Sequence, residues 1–171
     1  MARIPDEILD CSVFLYPSKD DADAEEGSVA GGTGFLVGVS SDDVPELWYF
    51  YVVTNKHVVT GLKNDKGDYE GGSQVVRLNT WSGKSDSMDL SGSWVNHPTD
   101  DLAVAYAPVL HNVHKFTCID FQKYIPDKQK MEVMKIGPGD DTYMVGRFIN
   151  HHGKQRNLPS VRWGHISMMP P

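Results

Sequence analysis

A histidine stands directly after a run of residues that favours a β-strand. The stretch YFYVVTNKHVVTG covers residues 49–61 and places His57 just beyond its aromatic and β-branched part. An imidazole has an ordinary pKa of about 6.5, so it takes up and releases a proton near neutral pH. A strand that ends here would hold the ring at the rim of a rigid scaffold. His57 is therefore a candidate general base.

A carboxylate in a matching context follows later in the chain. Asp101 stands immediately before the apolar, strand-like run LAVAYA. A carboxylate bound to one ring nitrogen of a histidine fixes the tautomer, leaves the other nitrogen to take a proton, and stabilises the imidazolium that results. Both residues lie at the ends of expected strands, where a β scaffold can bring distant positions together. By itself, however, a His–Asp pair is more typical of a structural hydrogen bond. The neighbouring sequence segments must distinguish this role from a catalytic one.

The elements that would position these residues are short strands separated by turn sequences. Breaks such as NDKGDYEGG, SGKSDS and GPGDD are rich in Gly, Asp, Asn and Ser, which favour turns. A single helical turn closed by Gly61 and a short helix within 119–132 are the helical expectations. The pattern predicts an all-β barrel or sandwich. Strands are expected near residues 11–16, 33–39, 48–54, 74–80, 92–96, 102–107, 116–121, 142–149 and 161–168.

The totals restrict partners and compartment. The 171 residues favour one domain or one and a half, and the net charge of −7 makes nucleic acid a poor partner. The N-terminal segment has acids where a signal peptide needs an apolar run, and no run reaches transmembrane length. We therefore expect a cytoplasmic protein with no membrane partner.

The cysteines and the remaining histidines do not predict a metal or a cofactor. Cys11 and Cys118 form no CxxC motif, and both are expected to be buried free thiols, with a disulfide between them left open. His111, His114 and the adjacent pair at 151–152 show no convergence of three or four ligands, so they are expected to be turn or solvated side chains.

Three segments occur in an informative order. They are GGTGFLVG at 31–38, VVTNKHVV at 52–59 and HPTDDLAVAYAP at 97–108. Together they resemble the first half of a trypsin-like (chymotrypsin-fold) serine peptidase. In that family a Gly-Ser/Thr-Gly-Phe strand is followed by a strand that leads into Thr-Ala-x-His, and an Asp before Leu/Ile-Ala comes next.

The resemblance assigns roles to individual residues. His57 matches the base of the catalytic triad, and Asp101, rather than Asp100, matches the acid because Leu102 and Ala103 follow it directly. The match departs at Asn55 and Lys56, where the family more often has two small residues.

The resemblance continues into the last third of the chain. GDDTYMVGRF at 139–148 resembles the entry into the second barrel of the family, and LPSVRWGHISMM at 158–169 resembles the segment after it. The resemblance thus implies the trypsin-like double-barrel fold. An antiparallel six-stranded barrel would occupy 1–130, and the start of an incomplete second barrel would occupy 131–171.

The nucleophile that the resemblance calls for is missing. No Gly-Asp/Asn-Ser-Gly-Gly turn and no Gly-x-Ser-x-Gly elbow occurs in the sequence, and neither Ser160 nor Ser167 has the glycine context of such a turn. The same turn would supply the oxyanion hole. We therefore expect a truncated chain that is inactive by itself.

Three functional hypotheses follow. The first is a serine endopeptidase that cleaves an extended polypeptide by acyl transfer through a serine ester, without a cofactor. The second is a catalytically dead binding or scaffold module of the same fold. The third is an unrelated small β-barrel binding protein, which would lack a contact between His57 and Asp101. Unpaired strand edges of an incomplete second barrel would also favour self-association.

Overall fold

The computed structural model describes residues 4–24, 31–63, 69–147 and 156–169. Strands dominate them, so the expected all-β class is confirmed. The helices are short: α1 (Asp6–Leu9), α2 (Lys19–Asp23), α3 (Lys56–Thr60), α4 (Phe121–Tyr124) and α5 (Lys128–Val133). The strands are β1 (Ser12–Tyr16), β2 (Gly32–Ser40), β3 (Trp48–Thr54), β4 (Gly61–Lys63), β5 (Tyr69–Gly71), β6 (Val75–Asn79), β7 (Ser85–Asp89), β8 (Val95–Asn96), β9 (Ala103–Tyr106), β10 (Ile119–Asp120), β11 (Asp141–Gly146) and β12 (Ser160–His165).

The main sheet is curled and antiparallel, and it forms a half-barrel. Its strands follow the order β7-β6-β1-β2-β3-β9-β8, and β10 adds to β2 in parallel, beyond the end of β1. The pairings between the described residues do not join β7 to β8, so the ladder stays open where a closed six-stranded barrel was predicted. The strands of two small sheets, β4-β5 and β11-β12, do not pair with it in the described part of the chain.

Most predicted strands are present, and the differences have simple causes. The helical turn before Gly61 is α3, and Gly61 ends it with a φ of 79°. The strand β7 was not predicted because its sequence, SDSMD, has no β-branched or aromatic residue. The strand β5 lies in the segment NDKGDYEGG, for which a turn was expected, and its partner β4 was not predicted. The region 119–132 contains α4 and most of α5 rather than one short helix. Positions 148–149 of a predicted strand lie outside the described residues.

The strand β1 lies at the centre of the core and is buried along its whole length. Val13 and Leu15 pack with β2, β3, β6 and β9 on one face of the sheet. Phe14 and Tyr16 point to the other face, where they pack with Ala22 of α2. The main sheet is therefore covered on both faces at β1, which makes it a rigid base for the residues at its rim.

Two glycines of β2 allow close approaches. A Cβ atom at Gly34 would lie 2.9 Å from the carbonyl oxygen of Val53, and one at Gly32 would lie 2.6 Å from a methyl group of Val58. Real Cβ contacts are not this short. The missing side chain at Gly32 therefore lets Val58 of α3 pack directly on β2, which fixes the helix that begins beside His57.

A buried arginine joins the main sheet to the C-terminal segment. Arg77 of β6 is fully buried, and its Nε donates to Oδ1 of Asn157, while Nη1 donates to the carbonyl oxygen of Ala22. The Asn157 side chain donates back to the carbonyl oxygen of Arg77, and the Asn157 backbone forms two hydrogen bonds with the side chain of Asn79. The guanidinium also lies 4.7 Å from the ring centroid of Tyr16.

The β11-β12 hairpin meets the main sheet at a second point. The backbone N–H of Arg147 donates to Oγ1 of Thr33 at 2.9 Å, and Gly146 lies against the same threonine side chain. The hairpin forms a separate sheet that begins at Asp141, and the expected boundary at 130–131 stays a prediction. The division into two barrels itself stays a prediction.

We expect Asn157→Ala to lower the free energy of unfolding by about 1–3 kcal/mol, the usual cost of leaving a buried polar group unsatisfied. The reason is that Asn157 is 2% exposed and supplies both an acceptor and a donor to Arg77. Urea denaturation gives the value. The matched control is Asn96→Ala, because Asn96 is exposed. Equal effects of the two substitutions would contradict this role for Asn157.

Candidate functional site

The strand β3 delivers His57 to the rim of the main sheet. The strand ends at Thr54, which is buried and whose hydroxyl donates to the carbonyl oxygen of Thr33 at 2.9 Å. Asn55 then occupies the N-cap position of α3, and His57 is the second residue of the helix. The histidine is therefore held by a helix start that is itself fixed to a buried strand end.

The strand β9 brings Asp101 to the same place. Thr54 pairs with Ala103 in the antiparallel register of β3 and β9, so the residues before β9 lie beside those after β3. The loop that carries Asp101 is closed by a hydrogen bond from the His97 N–H to the carbonyl oxygen of Leu102 at 2.8 Å. Lys56 also binds this loop, because its Nζ donates to the carbonyl oxygen of His97 at 3.2 Å.

The expected contact between His57 and Asp101 is present. Nδ1 of His57 lies 2.6 Å from Oδ2 of Asp101, and the backbone N–H of His57 donates to Oδ1 at 2.9 Å. The His57 side chain is 56% exposed and that of Asp101 49%. Among the described residues, Nε2 of His57 has no hydrogen-bond partner. We call this pair the dyad.

The hydrogen bonds of the dyad hold Asp101 in its charged form. The pKa of Asp101 is lowered from its usual range, first by the backbone N–H of His57 and then by the His57 side chain. A smaller contribution comes from Asn55, whose Nδ2 donates to Oδ2 of Asp101 at 3.1 Å. A charged carboxylate beside Nδ1 favours the tautomer that carries its proton there, and it would stabilise the imidazolium.

The neighbouring acid has a different partner. Asp100 contacts Nδ1 of His97 through Oδ2 at 3.1 Å, and its N–H donates to the same ring nitrogen. Asp101 is thus the acid that contacts His57, as its position directly before Leu102 and Ala103 indicated.

The other histidines take structural or exposed positions. His114 is only 3% exposed, so the expectation of a turn or solvated side chain is wrong for it. Its Nε2 contacts Asp86 at 3.0 Å, and its Nδ1 accepts the N–H of Leu110. His111 is exposed in a turn and contacts the rings of Phe50 and Phe116. The pair at 151–152 lies outside the described residues.

Neither the cysteines nor the acids suggest a metal site. Within the described ranges, no group of three or more His, Cys, Asp or Glu residues could hold a metal ion. Cys11 and Cys118 are free thiols; Cys11 is buried and Cys118 half-buried. Burial raises the pKa of Cys11 to about 11, with a smaller effect from Cys118 nearby.

A cleft lies beside the dyad. It has a volume of about 450 Å³ and is lined by residues of β2, β3 and β11 together with Asn55 and Leu102, which flank the dyad in sequence. The side contributed by the hairpin and the residue after it is formed by residues 144–147. Ser160 pairs with Gly146 in the hairpin and Ser167 is exposed. Neither serine forms a hydrogen bond with His57 in the described structure.

Two residues of the site were missed by the sequence analysis. Asn55 and Lys56 were noted only as a departure from the small residues common at these positions. In the structure both donate hydrogen bonds to the loop of Asp101. A signal was available, since two polar side chains directly before a candidate base are well placed to reach its partner.

Comparisons with models of protein families, with curated proteins and with solved structures found no match. Among the described residues, no helix has the length and apolar character needed to cross a membrane.

We expect His57 and His114 to be opposite tautomers when both rings are neutral. His57 should carry its proton on Nδ1, because that atom faces the Asp101 carboxylate. His114 should carry it on Nε2, because its Nδ1 accepts a backbone N–H. Ring ¹⁵N chemical shifts distinguish the two forms, and each ring serves as the control for the other. The same tautomer at both positions would contradict one of the two geometries.

The dyad should also give a pH-dependent contribution to stability. Because the folded pKa of Asp101 is lowered, its contribution is complete above the ordinary carboxyl pKa of about 3.9 and is lost as the pH falls through the folded pKa. The difference in unfolding free energy between the wild type and Asp101→Asn should therefore be fully present above the ordinary carboxyl pKa and shrink as the pH falls below it. Asp43→Asn, at an exposed position, is the control. A difference that stays constant into acid would contradict the assignment.

Proposed function

We propose that this chain carries the histidine and aspartate of a trypsin-like serine endopeptidase, within the first barrel of that fold. The observation that supports this most is the dyad itself. A half-exposed histidine receives a carboxylate on Nδ1 and keeps Nε2 open, as a general base requires. The order of the supporting elements, β2, β3, α3 and then β9, follows the segments that carry the resemblance.

The chemistry of the proposal follows from the two ring nitrogens. Nε2 of His57 would take the proton of a serine hydroxyl as it attacks a peptide carbonyl, and would return it to the leaving amine. Asp101 would hold the ring in orientation and stabilise the positive charge between these two steps. The substrate would be a polypeptide in extended form.

The serine is the part that these 171 residues do not supply. The sequence contains no Gly-Asp/Asn-Ser-Gly-Gly turn, and no described serine hydrogen-bonds to the histidine. The proposal therefore assigns the nucleophile and the oxyanion hole to residues outside this chain. The same absence favours the second candidate, a binding or scaffold module of trypsin-like fold that has the dyad without the reaction.

Exposed apolar side chains on the β11-β12 hairpin support the proposal of an incomplete second barrel. Met144 and Trp163 are exposed on the two strands, and Met168 is exposed beyond them. Further strands of a second barrel, or a second copy of the chain, would cover such a surface.

Reading the gene past codon 171 is the first test. A Gly-Asp/Asn-Ser-Gly-Gly sequence there would support the peptidase. A stop codon directly after Pro171, or a continuation without that turn, would favour the binding module.

The second test is labelling with a fluorophosphonate, which reacts with activated serines. We expect no labelling of the isolated 171-residue chain. We expect stoichiometric labelling of the product of a reading frame that contains the turn. His57→Ala should abolish that labelling. The matched control is His165→Ala, because His165 is also half-exposed and pairs with an aspartate, Asp141. Labelling of the isolated chain that His57→Ala abolishes would overturn the assignment of the nucleophile to residues outside it.

A further inference from the structure

Asn55 occupies a helix N-cap but does not use its side chain as a cap. At this position asparagine usually accepts the N–H of the second or third helical residue through its side-chain oxygen. Asn55 forms no such bond with α3. Its Nδ2 instead donates to Oδ2 of Asp101 at 3.1 Å and to the carbonyl oxygen of Asp101 at 3.2 Å. Both partners are acceptors, so the NH₂ group must be the end that faces them.

The N–H that Asn55 leaves open is taken by Asp101. The backbone N–H of His57, the second residue of α3, donates to Oδ1 of Asp101 at 2.9 Å. The carboxylate of Asp101, 44 positions after His57 in the sequence, therefore accepts the helix N–H that an N-cap side chain usually accepts. The side chain of Asn55, the N-cap residue, therefore binds the Asp101 carboxylate, and this carboxylate in turn caps the helix.

We propose that Asn55 is a positioning residue of the dyad, which fixes the carboxylate and the backbone of Asp101 relative to His57. It donates to the same oxygen that accepts from the imidazole, so it sets where that oxygen lies. It also holds the backbone carbonyl of Asp101, which limits rotation of the loop. The importance of this task for catalysis rests on the proposed function, whereas the contacts themselves do not.

Lys56 supports the same loop at its other end. Its Nζ donates to the carbonyl oxygen of His97, four residues before Asp101. Adjacent side chains at 55 and 56 thus hold both ends of the segment that carries the acid. The two small residues that are more common here in trypsin-like peptidases could not form these bonds.

The experiment compares Asn55→Ser with Asn55→Ala in the 171-residue chain. Serine is as good an N-cap residue as asparagine but lacks the amide that reaches Asp101, whereas alanine can do neither. NMR then gives the carboxyl pKa of Asp101 and the rate at which the Nδ1 proton of His57 exchanges with water. We expect both variants to raise the pKa of Asp101 and to speed this exchange. Asn112→Ser, at an exposed turn position, should change neither.

A wild-type measurement guards against loss of folding in the variants. The side-chain NH₂ signals of Asn55 should shift with the same midpoint as the titration of the Asp101 carboxyl, because the two groups are bonded. Wild-type behaviour of Asn55→Ser would show that Asn55 is only a cap residue and would overturn the proposal. Insensitivity of the Asn55 NH₂ signals to the Asp101 titration would overturn it too. Neither readout depends on peptidase activity, so a failure of the proposed function would leave this result in place.

Discussion

The carboxylate of Asp101 is the interaction on which the candidate site depends. It accepts from the backbone N–H and the ring of His57 and from the side chain of Asn55. Two of these donors belong to one residue, so a single carboxylate fixes both the start of α3 and the direction of the imidazole. A hydrogen bond to the ring alone would allow the helix start to shift, and the ring would move with it. Helix geometry and tautomer are therefore coupled.

That carboxylate is in place only because the register of β3 and β9 is correct. Thr54 faces Ala103, which leaves one residue, Leu102, between the end of the ladder and the acid. A shift of one residue would turn every side chain of β9 to the opposite face of the sheet and would move Asp101 away from α3. The register is protected by burial, since Ala103 and Ala105 of β9 pack in the core beside Val52.

The backbone of β2 provides the other constraint. Gly32 permits Val58 to rest on the strand, and Thr33 binds both the end of β3 and the end of β11 through its carbonyl and its hydroxyl. The strand β2 therefore supports the helix of the dyad and also lines the cleft. The contact with Val58 explains Gly32 of the GGTGF segment, because a side chain at this position would force the helix that carries His57 outward.

The sequence predicted the parts of this fold that depend on local composition. Aromatic and β-branched runs indicated most strands, and the contexts of His57 and Asp101 indicated their contact. The polar strand β7 was beyond this reasoning, because tertiary pairing rather than local preference makes it a strand. The strand β10 lies within the strand expected near 116–121, but its parallel pairing with β2 was not predicted.

Contacts between distant polar residues were equally hidden in the sequence. Arg77 lies within a strand-like run, and nothing in its neighbours shows that it is buried against Asn157. The role of Asn55 was hidden for a related reason. Its local context suggests a helix cap, and only the loop that carries Asp101 redirects its side chain.

Four aspartate–histidine pairs among the described residues show why residue type alone does not make a base. In one of them, Nδ1 of His97 accepts the N–H of Asp100, so this nitrogen has no proton to donate to the Asp100 carboxylate. His114 also contacts a carboxylate, but its second ring nitrogen is occupied by the N–H of Leu110 and the ring is buried. His165 is exposed and contacts Asp141, its cross-strand neighbour in the β11-β12 hairpin. No hydrogen bond from this carboxylate to the backbone N–H of His165 is seen in the described structure. In His57 the carboxylate holds the backbone and the ring together, and the second nitrogen stays open. Proton transfer requires that combination of a fixed ring and an open lone pair, and of the four pairs only the dyad provides it.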